Sequence, residues 1–542
     1  MLAKTTIIEH MEKRIVKNSS PLTARGIAIG LVGLLIITAS SMYVALRMGA
    51  LPWPTVFVTV LSMAALSKAK GSTLQEINCT HTLMSAGAMV AGGLAFTLPG
   101  LWMTDPSANL SIMTIIVIAV TGAILGNLFT ALYRPVFIEE EKLPYPMGKA
   151  SYDTLIAGKE GKGAPLLFST MGASVIFTTL RDWFGWIPSV LTVFKGSALF
   201  PALSIWVSPM ALGIGAIIGP VLALMWLLGS VIGYYIITPI GLKTGLFASM
   251  AEADIFRSNL GLGIMIGTGL GVAIMAIVKG IKKRNTNKGK REINKNTLIA
   301  ILGVCLMSTI VLAIFTEITF IEAIILVLGT YLAAYLSGML TGQTGINPME
   351  VFAILVLLFI AAIFKPSLIA SFSIAGVVAV ACGLTGDVMN DLKSGSLVGT
   401  PVKSQLIAEA IGGVVGAVVA AISLVVMKNA FGTFGTAELP APQAASVAAM
   451  AGGIANKTAF FIGLVIGIVL YLLKTPSATL GLGFYLPNNI SSIMALGAVT
   501  MAIVKKFTKD KAKAENNVNL ISSGMLGGEG ITGVIIAIIS MF

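Results

Sequence analysis

Apolar runs of about 20 residues, each long enough to cross a hydrocarbon core as a helix, recur along the chain from residues 26–46 to residues 520–541. Within each run the apolar positions are continuous. The pattern therefore predicts helices and excludes an outer-membrane barrel, whose strands alternate with a period of two. Two stretches, 186–237 and 477–504, are interrupted by Pro188, Pro201, Pro209 and Pro220 and by Pro487, and predict either full crossings or re-entrant pairs. Roughly 15 to 17 transmembrane or re-entrant helices result, nearly the whole chain at 1.5 Å rise per residue. The expected fold class is an all-α polytopic membrane protein.

What lies between the runs sharpens this. Of the 542 residues 56% are hydrophobic and 11% charged, with a mean hydropathy of +0.93, against roughly 25% charged in soluble domains. The net charge of +13 could suggest nucleic acid, but the cations fall in short clusters between apolar runs, where cytoplasmic loops belong. These are Lys13, Arg14 and Lys17; Lys279, Lys282, Lys283, Arg284, Lys288, Lys290, Arg291 and Lys295; and Lys505, Lys506, Lys509, Lys511 and Lys513. The polar first 20 residues are unlike a signal peptide. Cys79, Cys305 and Cys382 lie far apart and the histidines are His10 and His81, which supports neither a disulfide framework nor a zinc site. There is no GxxxxGK[ST] P-loop. Gly267, Gly269 and Gly271 sit inside an apolar run, where close helix packing explains them better than a dinucleotide loop.

Landmarks recur in order. Pro54, Val56 and Phe57 are answered by Pro348, Val351 and Phe352. LPYP at 143–146 follows a helix with Gly122 and Gly126, and LPAP at 439–442 follows one with Gly412 and Gly416. Asn259, Leu260, Met265 and Gly267 are answered by Asn519, Leu520, Met525 and Gly527. Two related halves are expected: an N-terminal segment 1–20, a first repeat 21–278, a basic loop 279–297, a linking helix 298–317 and a second repeat 318–542. The linking helix has no counterpart and would invert the second half, which fits the loop charges. Lys68, Lys70 and the loop 142–162 then lie inside, Lys365 and Lys428 outside, and the lysines 505–513 inside. Inverted repeats place a transporter's site at the repeat interface.

Ionisable groups beside apolar segments are costly unless they face protein or water, so each is a candidate for function. Glu76, Asn78 and His81 could line a path, Glu76 and His81 carrying protons; the plainer reading has Glu76 capping its helix at the bilayer surface. Asp387 and Asp391, four apart, would share a helix face and could hold one proton between them, with Lys393 offsetting part of their repulsion. Gln405 and Glu409 follow. Both LPxP segments, with Glu141 and Lys142 before one copy, Glu438 before the other and Gln443 after it, free backbone groups that could bind solute or form a tight loop. Glu350, after Asn347-Pro348, and Glu529 are weaker candidates of the same type.

At these residues the sequence resembles the oligopeptide transporter family, which includes yellow-stripe metal-chelate transporters and many prokaryotic members. The resemblance rests on Glu76 with Asn78 and the SAG at 85–87, GDVMNDLKSG at 386–395, LPAPQA at 439–444, YLP at 485–487 and SGMLGGEG at 523–530. The sequence departs from the family pattern at Ile77, where an Asn is usual, and at Asn390, where a Gln is frequent. The resemblance implies a proton-driven importer of small peptides or chelated metal, in the cell membrane, with the proton gradient as energy source and no cofactor. It leaves a homodimer open. The candidate binding or proton-coupling residues are thus Glu76, Asn78, His81, Asp387, Asp391, Lys393, Gln405, Glu409, Glu438 and Gln443. The alternative from another class is a membrane-embedded hydrolase or lipid-modifying enzyme using paired carboxylates; a channel is a third.

Overall fold

A computed structural model describes residues 20–49, 51, 55–66, 69–158, 163–283, 295–344, 347–436, 438–452 and 456–539. The N-terminal basic cluster, most of the central basic loop and Pro54 lie outside the described residues. Among the described residues twenty α-helices form in order. The first half holds α1 (Ala24–Met48), α2 (Thr55–Leu66), α3 (Leu74–Ala95), α4 (Pro99–Thr104), α5 (Ile112–Arg134), α6 (Pro146–Gly158), α7 (Ala164–Thr178), α8 (Pro209–Ser230), α9 (Thr238–Thr244) and α10 (Met250–Lys283). Between the halves lies α11 (Lys295–Phe315). The second half holds α12 (Phe320–Thr344), α13 (Met349–Phe364), α14 (Leu368–Val398), α15 (Val402–Phe431), α16 (Pro442–Gly452), α17 (Lys457–Leu472), α18 (Ser477–Tyr485), α19 (Asn488–Phe507) and α20 (Lys511–Ile539).

Among the described residues nine helical runs are long and apolar enough to cross a membrane. One stretch expected to be helical is not. β1 (Val190–Phe194) and β2 (Leu203–Trp206) form an antiparallel hairpin. Pro188 and Pro201 each remove an amide that a helix would need, and the run VLTVF suits an extended chain. The other interrupted stretch breaks at Leu486 and Pro487, between α18 and α19.

Helix ends follow local chemistry. Thr23, Thr73, Ser208 and Ser367 accept from backbone amides three residues on and start α1, α3, α8 and α14. Gly49 and Gly399 take the left-handed conformation that ends α1 and α14.

The apolar window of α3 is wholly buried and that of α14 nearly so, whereas α11 buries little of its own. α3 and α14 are therefore solvated by other helices, which is what allows them to carry polar side chains.

Packing between the halves is reciprocal. α3 packs on α15 while α5 packs on α14, and α10 packs on α17 while α20 packs on α7. Glycines permit these approaches. A Cβ at Gly122 or Gly126 would crowd the Val377 and Ala381 carbonyls of α14; one at Gly412 or Gly416 would crowd Leu83 and Gly87 of α3. α10 and α17 interlock: Gly263 and Gly267 lie on the carbonyls of Phe460 and Leu464, and Gly463 and Gly467 on those of Leu260 and Ile264. Gly269 and Gly271 likewise abut Val351 and Tyr471, so this glycine run serves packing. α3 meets α14 at Gly93 with Val380, Met89 with Gly383, Ser85 with Asp391 and Asn78 with Ser394. One number rises as the other falls, so the two helices run antiparallel.

Candidate functional site

Three helices bring polar stripes to one place. On α3 the stripe is Asn78, His81, Thr82 and Ser85; on α14 it is Asp387, Asp391 and Ser394; on α15 it is Gln405 and Glu409. Spacings of three, four and seven keep each set on one helix face. All of these side chains are buried.

Ser85 Oγ donates to Asp391 Oδ2 at 2.9 Å, and Gln405 Nε2 donates to the Asp391 carbonyl at 2.8 Å and to Thr82 Oγ1 at 3.3 Å. Asn78 Nδ2 reaches Ser394 Oγ at 3.5 Å. His81 Nε2 stands 3.7 Å from Asp391 Oδ1, just beyond hydrogen-bond distance. Among the described residues, both oxygens of Asp387, both of Glu409, Asp391 Oδ1 and both His81 nitrogens find no hydrogen-bond donor or acceptor in direct contact. The two aspartates lie within electrostatic range of Glu409. Among the described residues no group of three or more His, Cys, Asp or Glu is arranged to hold a metal ion. The cluster is thus a buried set of carboxyl and imidazole groups, with no Lys or Arg paired to it among the described residues.

The other candidates sit elsewhere. Glu76, in the first turn of α3, is bound by Arg25, whose Nε and Nη2 donate at 2.7 and 2.6 Å; Thr23 Oγ1 also donates to it. Lys393 does not face the aspartates: two residues along a helix is more than half a turn, and its Nζ donates to the Leu143 carbonyl at 3.0 Å. Glu438 is exposed in the loop before LPAP. Glu529 is fully buried and satisfied by Arg181 at 2.8 Å, Ser208 Oγ and the Met210 amide, while Arg181 also pairs with Asp182 and reaches the Val207 carbonyl.

The two LPxP segments are one device used twice. Tyr145 and Ala441, each between the two prolines, take positive φ of 46° and 40°. Each donates its amide across the halves, Tyr145 to Gly342 near the end of α12 at 2.9 Å and Ala441 to Leu46 near the end of α1 at 2.8 Å. Gln443 Nε2 then donates to the Gly49 carbonyl at 2.8 Å.

Next to LPAP lies a cavity of about 630 Å³, within the usual size of small-ligand pockets. Met89 and Met349 line it and also lie against Gly383 of α14, one turn before Asp387. Gln443, Glu350, Asn347 and Lys474 also line it. Sequence reading missed Thr82 and Lys474. Lys474 carries a faint signal, a single cation followed by Thr475-Pro476 between apolar runs.

The family description "OPT oligopeptide transporter protein" matches residues 21–279 and again residues 266–540. The chain belongs to this family. A Haemophilus influenzae protein, provisionally named as an oligopeptide transporter, is 26% identical over 602 aligned positions covering 92% of each chain. Membership of the OPT family makes this a multi-pass membrane transporter and not an enzyme, which removes the hydrolase alternative. The paired match agrees with two related halves.

Proposed function

We propose that this OPT transporter is a secondary active symporter, moving protons together with a small peptide, peptide-like or metal-chelate solute across the plasma membrane by alternating access. The observation that carries this is the buried cluster of Asp387, Asp391 and Glu409 beside His81. Its carboxyls are fully buried, where a lone charge is costly and a bound proton removes that cost. Neighbouring carboxyls share protons as a set, so solute bound against Met89 and Met349, which touch α14 at Gly383, can change how many protons they hold. Asn78 and Gln405 orient the cluster, Gln443 reaches the solute, and Glu76, Lys393 and Glu438 set the surrounding helix ends and loops.

We assign the halves to 21–278 and 318–542 as inverted repeats, joined by the basic loop 279–297 and the linking helix 298–317. The antiparallel passage of α3 along its counterpart α14 supports this, because repeats of the same orientation would run those helices parallel. On loop charges the N-terminus and central loop are cytoplasmic. The expected 15 to 17 crossing or re-entrant pieces then include shorter apolar helices such as Met349–Phe364 and Lys457–Leu472.

The test is solute uptake in proteoliposomes under an imposed inward proton gradient, with solute counterflow measured alongside. Gradient-driven accumulation is expected in the wild type. Asp387→Asn should lose accumulation and keep counterflow. Accumulation indifferent to the gradient, or unchanged in Asp387→Asn, sinks proton coupling.

A further inference from the structure

The hairpin of β1 and β2 plays no part in proton coupling as described above, and its base sits where membrane crossings end. The span Ala24–Arg47 closes on Arg47, whose guanidinium lies over the Trp206 ring at the end of β2, 5.2 Å from its centroid. The span Asn488–Phe507 opens on Asn488, whose Nδ2 donates at 2.7 Å to the Ala202 carbonyl just before β2. A further span, Pro209–Thr244, begins just after β2. These span ends ring the hairpin base and put it at the level of a bilayer surface.

Two properties narrow what surrounds the hairpin there. The first is its apolar exterior. Leu191, Val193 and Phe194 of β1, with Trp183, Phe184 and Trp186 before it, are all half or more exposed, Trp186 at 73%. Every residue of β1 is exposed, on both faces of the strand. Lys195 is the one charged residue between Trp183 and Val207. Apolar patches of this extent mark a surface that is covered, and this one continues the outward side of α7, where Ile176 is 64% exposed, through the π-helical turn Thr179–Trp183. The second property is an open edge. β1 pairs with β2 on one side and, among the described residues, with no strand on the other. Amides and carbonyls along that edge need partners that hydrocarbon does not offer.

We infer that the hairpin is an interfacial anchor: it lies in the headgroup layer of the lipid bilayer, with its apolar side chains among the upper acyl chains. Water and headgroup oxygens partner the open edge there, while the lipid chains cover the aromatic and aliphatic groups. Tryptophan is the residue type that concentrates at this depth, and Lys195 can reach a lipid phosphate. A second copy of the chain pairing along β1 would satisfy the edge but leave both faces of the strand bare, whereas the bilayer surface serves edge and faces together. The anchor fixes Trp206 over Arg47, and with it the start of α8 where Ser208 and Met210 hold Glu529.

The test uses the full chain in phospholipid liposomes and its own tryptophans. Fluorescence quenching by lipids brominated near the headgroup, by lipids brominated near the chain ends and by aqueous iodide is measured in wild type and in the double variant Trp183→Phe, Trp186→Phe, which keeps the apolar aromatic surface. The difference between the two proteins isolates the hairpin, because the other tryptophans contribute to both. Most of the shallow-bromine quenching should be lost in the double variant, with deep-bromine and iodide quenching little changed. A difference carried by the deep bromines places the hairpin in hydrocarbon, one carried by iodide places it in water, and no difference with any quencher means that protein covers it; each overturns the inference. Cross-linking between copies through Val193→Cys, above the wild-type level, assigns the face to a dimer and overturns it as well.

Discussion

Asp387 gives the sharpest test of whether the buried acids are kept for stability or for work. It is one turn before Asp391 on α14, so the two carboxyls are about 6 Å apart along the helix face. At that separation two full charges repel by about 3 kcal/mol with an effective dielectric constant near 20. Lys393 does not offset this, because its ammonium donates to the Leu143 carbonyl instead. Asparagine has nearly the same shape and carries no charge. Asp387→Asn should therefore leave the fold intact and, by removing one of the two charges, raise thermal stability relative to wild type by up to about 3 kcal/mol. The assay is thermal unfolding of both proteins in the same detergent and buffer, followed by intrinsic fluorescence. A lower melting temperature in Asp387→Asn would mean that the carboxylate makes an attractive contact, and the reasoning would fall. Paired with lost gradient-driven accumulation, a gain in stability would mark Asp387 as a group held at a cost for its chemistry.

The buried pair of Arg181 and Glu529 should behave oppositely. Arg181→Met strands a fully buried carboxylate, and chemical denaturation should report about 3–5 kcal/mol of lost stability, with Glu529→Gln milder because Ser208 and the Met210 amide remain as donors. Gly463→Leu, against the Leu260 carbonyl, should drive α17 off α10 and lower the melting temperature more than Gly303→Leu on α11, where a side chain would meet nothing. Tyr145→Phe removes one buried hydrogen bond to Gly338 and should cost about 1 kcal/mol in the same measurement.

Much of this protein is set by its sequence alone. Apolar runs longer than a bilayer is thick can only be membrane helices, and prolines and glycines at their ends fix where they stop. The ordered landmarks reveal the two halves, and the spacing of Asp387 and Asp391 puts them on one face. All of these are local or periodic properties, written within a few turns of chain.

Only the tertiary structure decided which residues meet. Glu409 joins Asp387 because α15 crosses α3 at Gly412 and Gly416, and Glu76 is claimed by Arg25, 51 residues earlier. Tyr145 and Ala441 lend their amides to the other half. The stretch 186–206 becomes a hairpin although its apolar content suits a helix equally well. Glu350 and Lys474 share one cavity from positions 124 residues apart. Such pairings depend on how whole helices dock, and in a chain where nearly every helix surface is apolar, the sequence offers many docking arrangements of similar composition. Small glycine contacts and a few buried polar groups select among them, and their effect exists only once the helices are in place.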